Sequence, residues 1–549
     1  MRNEKMGQLL PFAQSAQALR RFAGKHRAQG NDLQAVELLR LSLQKDANDA
    51  ETALSLAEAY AAIQCYTLSN KILFPLIDDD TVGEACLFGI GCNMMSMGLE
   101  LCARDCFVMY LQKYPDGASV QEAVEMLESC DEAEEPLSPR QQRVEQRVDR
   151  ALRALDAERP ALAVRFLRRA LTLCGRDSGI YALFSFALLA LPDPKQALEA
   201  AKHAVSIDRE DLRARCALAI ALYKKGAKNN GVAFLEQAAA AVQDEREAIL
   251  VCHVACEMDA PQVVLDVLAD TLAGAPYSDD VLHLAACAQY NNGNLEEAIR
   301  CWKLLRRIDP LDTVAEYRLA AAQQGTLPTK LPYVRQTPLE ETLARLSRLR
   351  KLVLEGPQAM QEQLENKEGG LEKLLSWALT SDEAGVCATA VSVLMTLSGR
   401  RAEALLLSVL CDVDASWTLK HEALAALCVM GVKGPFYVVI DGRMTLVRVS
   451  RGQERPSLAH ENMLYSVMKQ RTGASGEKEK KALRALCRAV LENGAIVGGA
   501  TRMRTVAAAY ALLRQESVDL PKKTKDRRKL LRVARRLAAE VENRGMREF

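Results

Sequence analysis

The sequence predicts an all-α chain. Paired helices stack through residues ~16–326 and give way, over 339–549, to an irregular helical domain with one β-hairpin. Three observations carry that prediction. Asp279–Asp312 holds two amphipathic helical patterns joined by a tight turn at Asn292-Gly293-Asn294. The same pattern returns at a near-constant interval along the first three fifths of the chain. The 549 residues are 49% hydrophobic but only 5% aromatic, an Ala and Leu bias that suits closely packed helices.

In the unit from Asp279, Leu282, Ala285 and Ala286 line one face of the first helix. Ala298, Trp302 and Leu305 line the second at the i, i+4, i+7 spacing of a buried stripe, and Pro310 closes the unit. Stepping back 34 residues, or 33 in one case, gives units starting near Glu245, Leu212, Ser178 and Val144; earlier ones start near Glu84, Ala50 and Ala16. The unit from Glu84 repeats the small and large positions with Leu87, Gly91, Gly98, Ala103, Phe107 and Pro115. These units resemble the tetratricopeptide repeat, a 34-residue helix–turn–helix. Leu282 stands in place of that family's usual first-helix Trp and Ala286 in place of its Gly, while Gly293, Ala298 and Pro310 match. The resemblance implies a right-handed α-solenoid whose first helices line a concave, ligand-binding groove.

Taken in order, residues 1–132 form an N-terminal block of three repeats and a capping helix at Ala118–Cys130. Residues 133–143 are an acidic, proline-containing hinge: eight carboxylates and no Lys or Arg fall between Asp116 and Pro139. Residues 144–326 form a second block of five repeats with a cap at Thr313–Gln324. Residues 327–338 sit in a stretch with three prolines and read as a linker. Beyond it the period stops. Helices are expected at Leu339–Leu354, Leu371–Thr380, Ala384–Leu397, Ala402–Leu410, Leu458–Gln470, Glu477–Glu492 and Thr501–Gln515. Residues 414–431 weakly resemble half of a HEAT-type repeat through Trp417, Leu419, Ala423, Leu424 and Leu427. The hairpin spans 436–449: Phe436–Ile440 and Met444–Val449 flank Asp441-Gly442, a pair that favours a two-residue turn. Such a hairpin is marginal alone and must pack on helices or pair with another strand. A basic end helix is expected over 521–544, in a tail where eleven Lys or Arg face four Asp or Glu.

The search for chemistry returns little. No phosphate-binding loop is present; Gly473–Lys478 lacks the spacing and the Ser or Thr after its Lys. His421-Glu422 and His460-Glu461 lack a second His four residues on, and Gly494, Gly498 and Gly499 form no dinucleotide fingerprint. Cys252, Cys256, His283 and Cys287 have spacings at which zinc could bind, with His253 beside them. Cys252, however, falls where Gly91 and Ala286 supply a small packing residue, so core cysteine is the economical reading. No metal, cofactor or catalytic residue is assigned, and no enzyme activity is expected. Sixteen cysteines without a C-x-x-C pair read as free thiols of a reducing cytoplasm. No stretch reaches the ~20 apolar residues that span a bilayer, so the expectation is a cytoplasmic protein without membrane contact. A net charge of +1 excludes a chain-wide polyelectrolyte role.

Mapping the resemblance onto this sequence puts Phe88, Cys92 and Met95 in the groove of the first block. In the second it puts Phe186, Leu189, Ile220, Tyr223, Ile249, His253, His283 and Tyr290 there. This surface is largely apolar, with Tyr and His as polar handles, and suits a peptide or amphipathic helix of a protein partner. Equally open is that tight superhelical winding buries these residues against each other or against the protein's own termini. The sequence thus points to a non-enzymatic protein-interaction scaffold. The alternative is a nucleic-acid adaptor using Lys522, Lys523, Arg527, Arg528 and Arg532 of the basic end helix. A third reading places unrecognised chemistry in 339–549.

Overall fold

The structure is a computed structural model. It describes residues 15–131, 138–156, 159–191, 194–365, 370–440 apart from 382, 442–448, 477–492 and 499–513, with a few isolated positions after 464. Two compact units result. One gathers residues 1–131, 310–313 and 336–549; the other gathers 132–309 and 314–335.

The first unit begins with α1 (Ala16–Ala28), α2 (Asp32–Lys45), α3 (Ala50–Ala62), α4 (Tyr66–Leu73), α5 (Gly83–Ser96), α6 (Glu100–Lys113) and α7 (Val120–Asp131). The second unit runs through α8 (Pro139–Asp156), α9 (Pro160–Cys174), α10 (Ser178–Leu189), α11 (Pro194–Ile207), α12 (Leu212–Lys224), α13 (Lys228–Ala239), α14 (Glu245–Glu257), α15 (Pro261–Gly274), α16 (Asp279–Asn291), α17 (Leu295–Ile308) and α18 (Thr313–Gln324). Seven of the eight expected repeat starts fall within one residue of a first helix's start. The exception is Val144, because α8 begins at Pro139. Ser138 and Gln141 form a capping box there: the Gln141 amide donates to Ser138 Oγ at 3.3 Å and the Ser138 amide to Gln141 Oε1 at 2.9 Å. Pro139 occupies the first helical position, where its missing N–H costs nothing.

The repeat period is built from local chemistry. Asp49, Asp177, Asp211 and Asp244 each accept a backbone N–H at the start of a first helix. Inside the pairs, Gly30, Gly98, Gly226 and Gly293 take positive φ, and the following amide bonds back to the fifth carbonyl before it. Gln64 and Asp259 hold the same left-handed position without being glycine. Close helix approach explains Gly91: a Cβ there would lie 2.6 Å from the Phe107 ring. Its counterparts Cys252 and Ala286 are fully buried.

The first unit continues with α19 (Leu339–Glu355), α20 (Pro357–Glu365), α21 (Gly370–Leu379), α22 (Ala384–Leu394), α23 (Arg400–Cys411) and α24 (Trp417–Met430). After these come β1 (Phe436–Ile440), β2 (Arg443–Val447), α25 (Glu477–Glu492) and α26 (Gly499–Leu513). In α24, Leu419, Ala423, Leu424 and Leu427 are buried whereas Trp417 is exposed. β1 and β2 pair antiparallel from Phe436 opposite Val447 to Ile440 opposite Arg443. The hairpin does not stand alone. β2 packs on α6, and α23 packs on α4 and on the short turn Phe74–Leu76 that follows it. One apolar core joins Leu87, Phe107 and Tyr110 of the repeats to Leu406 and Leu410 of α23 and to Val438 and Val439 of β1. Arg443 grips Asp105 of α6 with two bonds of 2.6 and 2.7 Å, the Met444 amide adds a third at 3.1 Å, and Lys420 Nζ caps the Val439 carbonyl at 2.6 Å.

The expected helix Leu458–Gln470 lies almost wholly outside the described residues, as does the basic helix 521–544. Among the described residues no helix is long and apolar enough to cross a membrane.

Candidate functional site

The second unit's first helices carry the residues expected in a groove. Phe186 and Leu189 of α10 and Tyr223 of α12 are half-buried against one apolar cluster that contains Ile220. Ile249 of α14 is half-buried and His253 is exposed. On α16, His283 is only 3% exposed, while Tyr290 is half-buried with its ring centroid 6.4 Å from that of Trp302. A further side chain, Tyr333, packs on the same cluster as Phe186, Leu189 and Tyr223.

Tyr333 belongs to the proline-rich stretch after α18, which is ordered on this surface. α18 ends in a glycine cap: Gly325 sits at φ +67°, and the Thr326 amide returns to the Ala321 carbonyl at 2.9 Å. The chain reverses there and runs back along α16 towards its start. The prolines forbid helix, and the segment, bent at 329–330 and 333–335, buries Leu331 and half-buries Tyr333 and Arg335 while Pro332 and Val334 are exposed. Tyr290 Oη donates to the Pro328 carbonyl at 2.7 Å. The Asn291 side chain takes both backbone groups of Leu331, donating to its carbonyl at 3.0 Å and accepting its amide at 2.7 Å. His283 Nε2 lies 3.1 Å from the Tyr333 carbonyl, which can only accept, so that nitrogen carries the proton. Arg318 Nη2 donates to the carbonyls of Pro332 and Val334 at 3.0 and 3.2 Å. Ion pairs hold the flanks, Lys330 to Asp259 and Arg335 to Asp279 at 2.6 Å.

The electrostatics follow from burial. Arg318 is 2% exposed on α18 and donates to carbonyl oxygens and the Cys287 sulfur, as a buried guanidinium requires. Burial, reinforced by the Arg318 and Arg335 cations, holds His283 well below the usual imidazole range, so it is neutral at pH 7. Burial also pushes the Tyr333 phenol up to about 12, and its hydroxyl finds no hydrogen-bond partner of good geometry.

The surface thus holds a segment of chain by its backbone. His283 and Cys287 approach to 3.6 Å, and no group of three metal-capable side chains occurs among the described residues. Sequence reasoning singled out His283 and Tyr290 but missed Asn291, Arg318, Asp259 and Asp279, and it read 327–338 as a linker. The available signal was the alternation Leu331, Tyr333, Arg335 within a stretch that prolines bar from helix. In the first unit, Phe88, Cys92 and Met95 are half-buried against the shared core. Lys522, Lys523, Arg527, Arg528 and Arg532 lie outside the described residues.

No family model matches the chain, and no curated protein matches it. Among solved structures it is similar to a tetratricopeptide repeat protein from Parabacteroides merdae at 11% identity, over 56% of this chain and 99% of that one, with a TM-score of 0.27. It is similar to the tetratricopeptide domain of P58(IPK) at 16% identity, over 56% and 97%, with a TM-score of 0.23. It is similar to yeast Tom70 at 12% identity, over 96% and 97%, with a TM-score of 0.20.

Proposed function

We propose that this protein is a non-enzymatic interaction scaffold that takes a peptide or amphipathic helix of a protein partner on the first-helix face of its second repeat block. One observation carries the reading. That face holds a stretch of polypeptide through side chains aimed at its backbone, a grip that a partner's backbone can also take. Phe186, Leu189, Ile220 and Tyr223 extend the same surface towards the earlier repeats, with Ile249 and His253 on the neighbouring helix; their apolar area supplies affinity while the polar handles set register.

The test is a pull-down with the full chain, comparing wild type with a Phe186→Ala, Tyr223→Ala double variant whose melting is unchanged. Loss of a partner that wild type retains stoichiometrically is expected. Equal retention by both proteins would overturn the assignment of these residues.

A further inference from the structure

We propose that residues 328–335 are a tethered occupant of this surface. The partner segment that replaces them has the same chemistry: a non-helical stretch with an apolar residue, an aromatic two residues on and a cation two residues beyond that. This deepens the scaffold reading and rests on it.

Two kinds of contact support the substitution. The first is independent of sequence. Five backbone carbonyls, those of Pro328, Leu331, Pro332, Tyr333 and Val334, are taken by side chains of α16 and α18. Any non-helical polypeptide offers the same row of acceptors. The second kind selects. Leu331 is buried, Tyr333 lies on the apolar cluster, and Asp259 and Asp279 flank them with negative charge against Lys330 and Arg335. Register agrees, since contacts from Tyr290 to Pro328, from Asn291 to Leu331, from His283 to Tyr333 and from Asp279 to Arg335 follow α16 from its end to its start. Charge complementarity therefore commits the occupant to a cationic segment and rejects an acidic tail.

The arrangement also explains how the site would be controlled. Few residues separate the end of α18 from Pro328, so the effective concentration of the strap is on the order of millimolar. An incoming segment sees only the fraction of molecules whose strap has left, which weakens its apparent affinity by that fraction.

The experiment uses the full chain and a fluorescent peptide of residues 326–338, followed by anisotropy. Wild type should take up the peptide weakly. Arg335→Glu, a change at a partly exposed side chain, should bind it on the order of tenfold more tightly, and Arg335→Glu with Tyr333→Ala more tightly again. Adding Asn291→Ala to either should abolish the gain, and a scrambled peptide should not bind. Circular dichroism and melting confirm that each variant is folded. The proposal is overturned if folded strap variants bind no better than wild type, or if Asn291→Ala changes nothing. Dimers formed by exchange of straps, seen by light scattering, would make a second copy the occupant and overturn the partner assignment. Tight peptide uptake together with unaltered capture by the Phe186→Ala, Tyr223→Ala protein would instead defeat the scaffold reading's residues while leaving the strap intact.

Discussion

The two repeat blocks dispose of their surfaces in opposite ways. In the first, α4 and α6 are sealed by the chain's own α23 and hairpin, through a continuous apolar core and the Arg443–Asp105 clasp. In the second, the first-helix face is covered by an eight-residue strap whose grip is mostly hydrogen bonds to backbone. An apolar seal depends on jigsaw packing and has no simple substitute, whereas a backbone grip is indifferent to whose backbone it holds. The difference separates architecture from exchangeable contact.

The largest effect should come from the seal. Phe107→Ala removes a fully buried ring from the first unit's core and should cost about 3–5 kcal/mol, read as loss of one transition in denaturant unfolding while the other persists. Asp105→Ala strips the partner from Arg443 and the Met444 amide. We expect about 1–2 kcal/mol, with faster hydrogen exchange at Met444 and none of the change at Leu331. Asn291→Ala reverses that pattern: the Leu331 amide loses protection and trypsin cuts sooner at Lys330, while global melting moves by no more than a few degrees. If Asn291→Ala unfolds the whole unit, the contrast between seal and strap fails.

The smallest effect is a pH dependence. His283 is held below its unfolded value near 6.5, so the unfolded state binds a proton first as pH falls. Stability is full above 6.5 and declines below it, by at most about 1.4 kcal/mol per pH unit, down to the folded value. Arg318 from α18 and Arg335 from the strap face the imidazole and oppose its protonation, while Asp279 and Asp280 hold Arg335 in place. His283→Gln should flatten the slope between pH 5 and 6.5 in melting of the full chain; an unchanged slope would locate the titration elsewhere.

Most of the solenoid was legible because its determinants are local. Capping aspartates, turn glycines and the Ala and Leu stripes lie within one repeat, so Ser178, Leu212, Glu245 and Asp279 mark helix starts directly. The hairpin was legible from Asp441-Gly442 and its flanking β-formers, but not the helix it rests on, because Asp105 and Arg443 are 338 positions apart in sequence. The strap escaped for a different reason. Three prolines report the absence of helix and say nothing of where a non-helical segment lies. Its anchors, Asn291 and Arg318, look like a turn residue and a surface cation until the fold buries them.

The turn at Asp259 illustrates how such a site constrains protein engineering. Its left-handed backbone costs about 1–2 kcal/mol relative to glycine, and the exposed pair it makes with Lys330 returns about 0–1 kcal/mol. Glycine at Gln64, which has the same geometry, is a stabilising replacement. At Asp259 the same exchange would raise the melting temperature while erasing a charge that helps set the strap's register. A campaign guided by thermostability alone would thus select against recognition at this one turn and leave no trace of it in the melting curve.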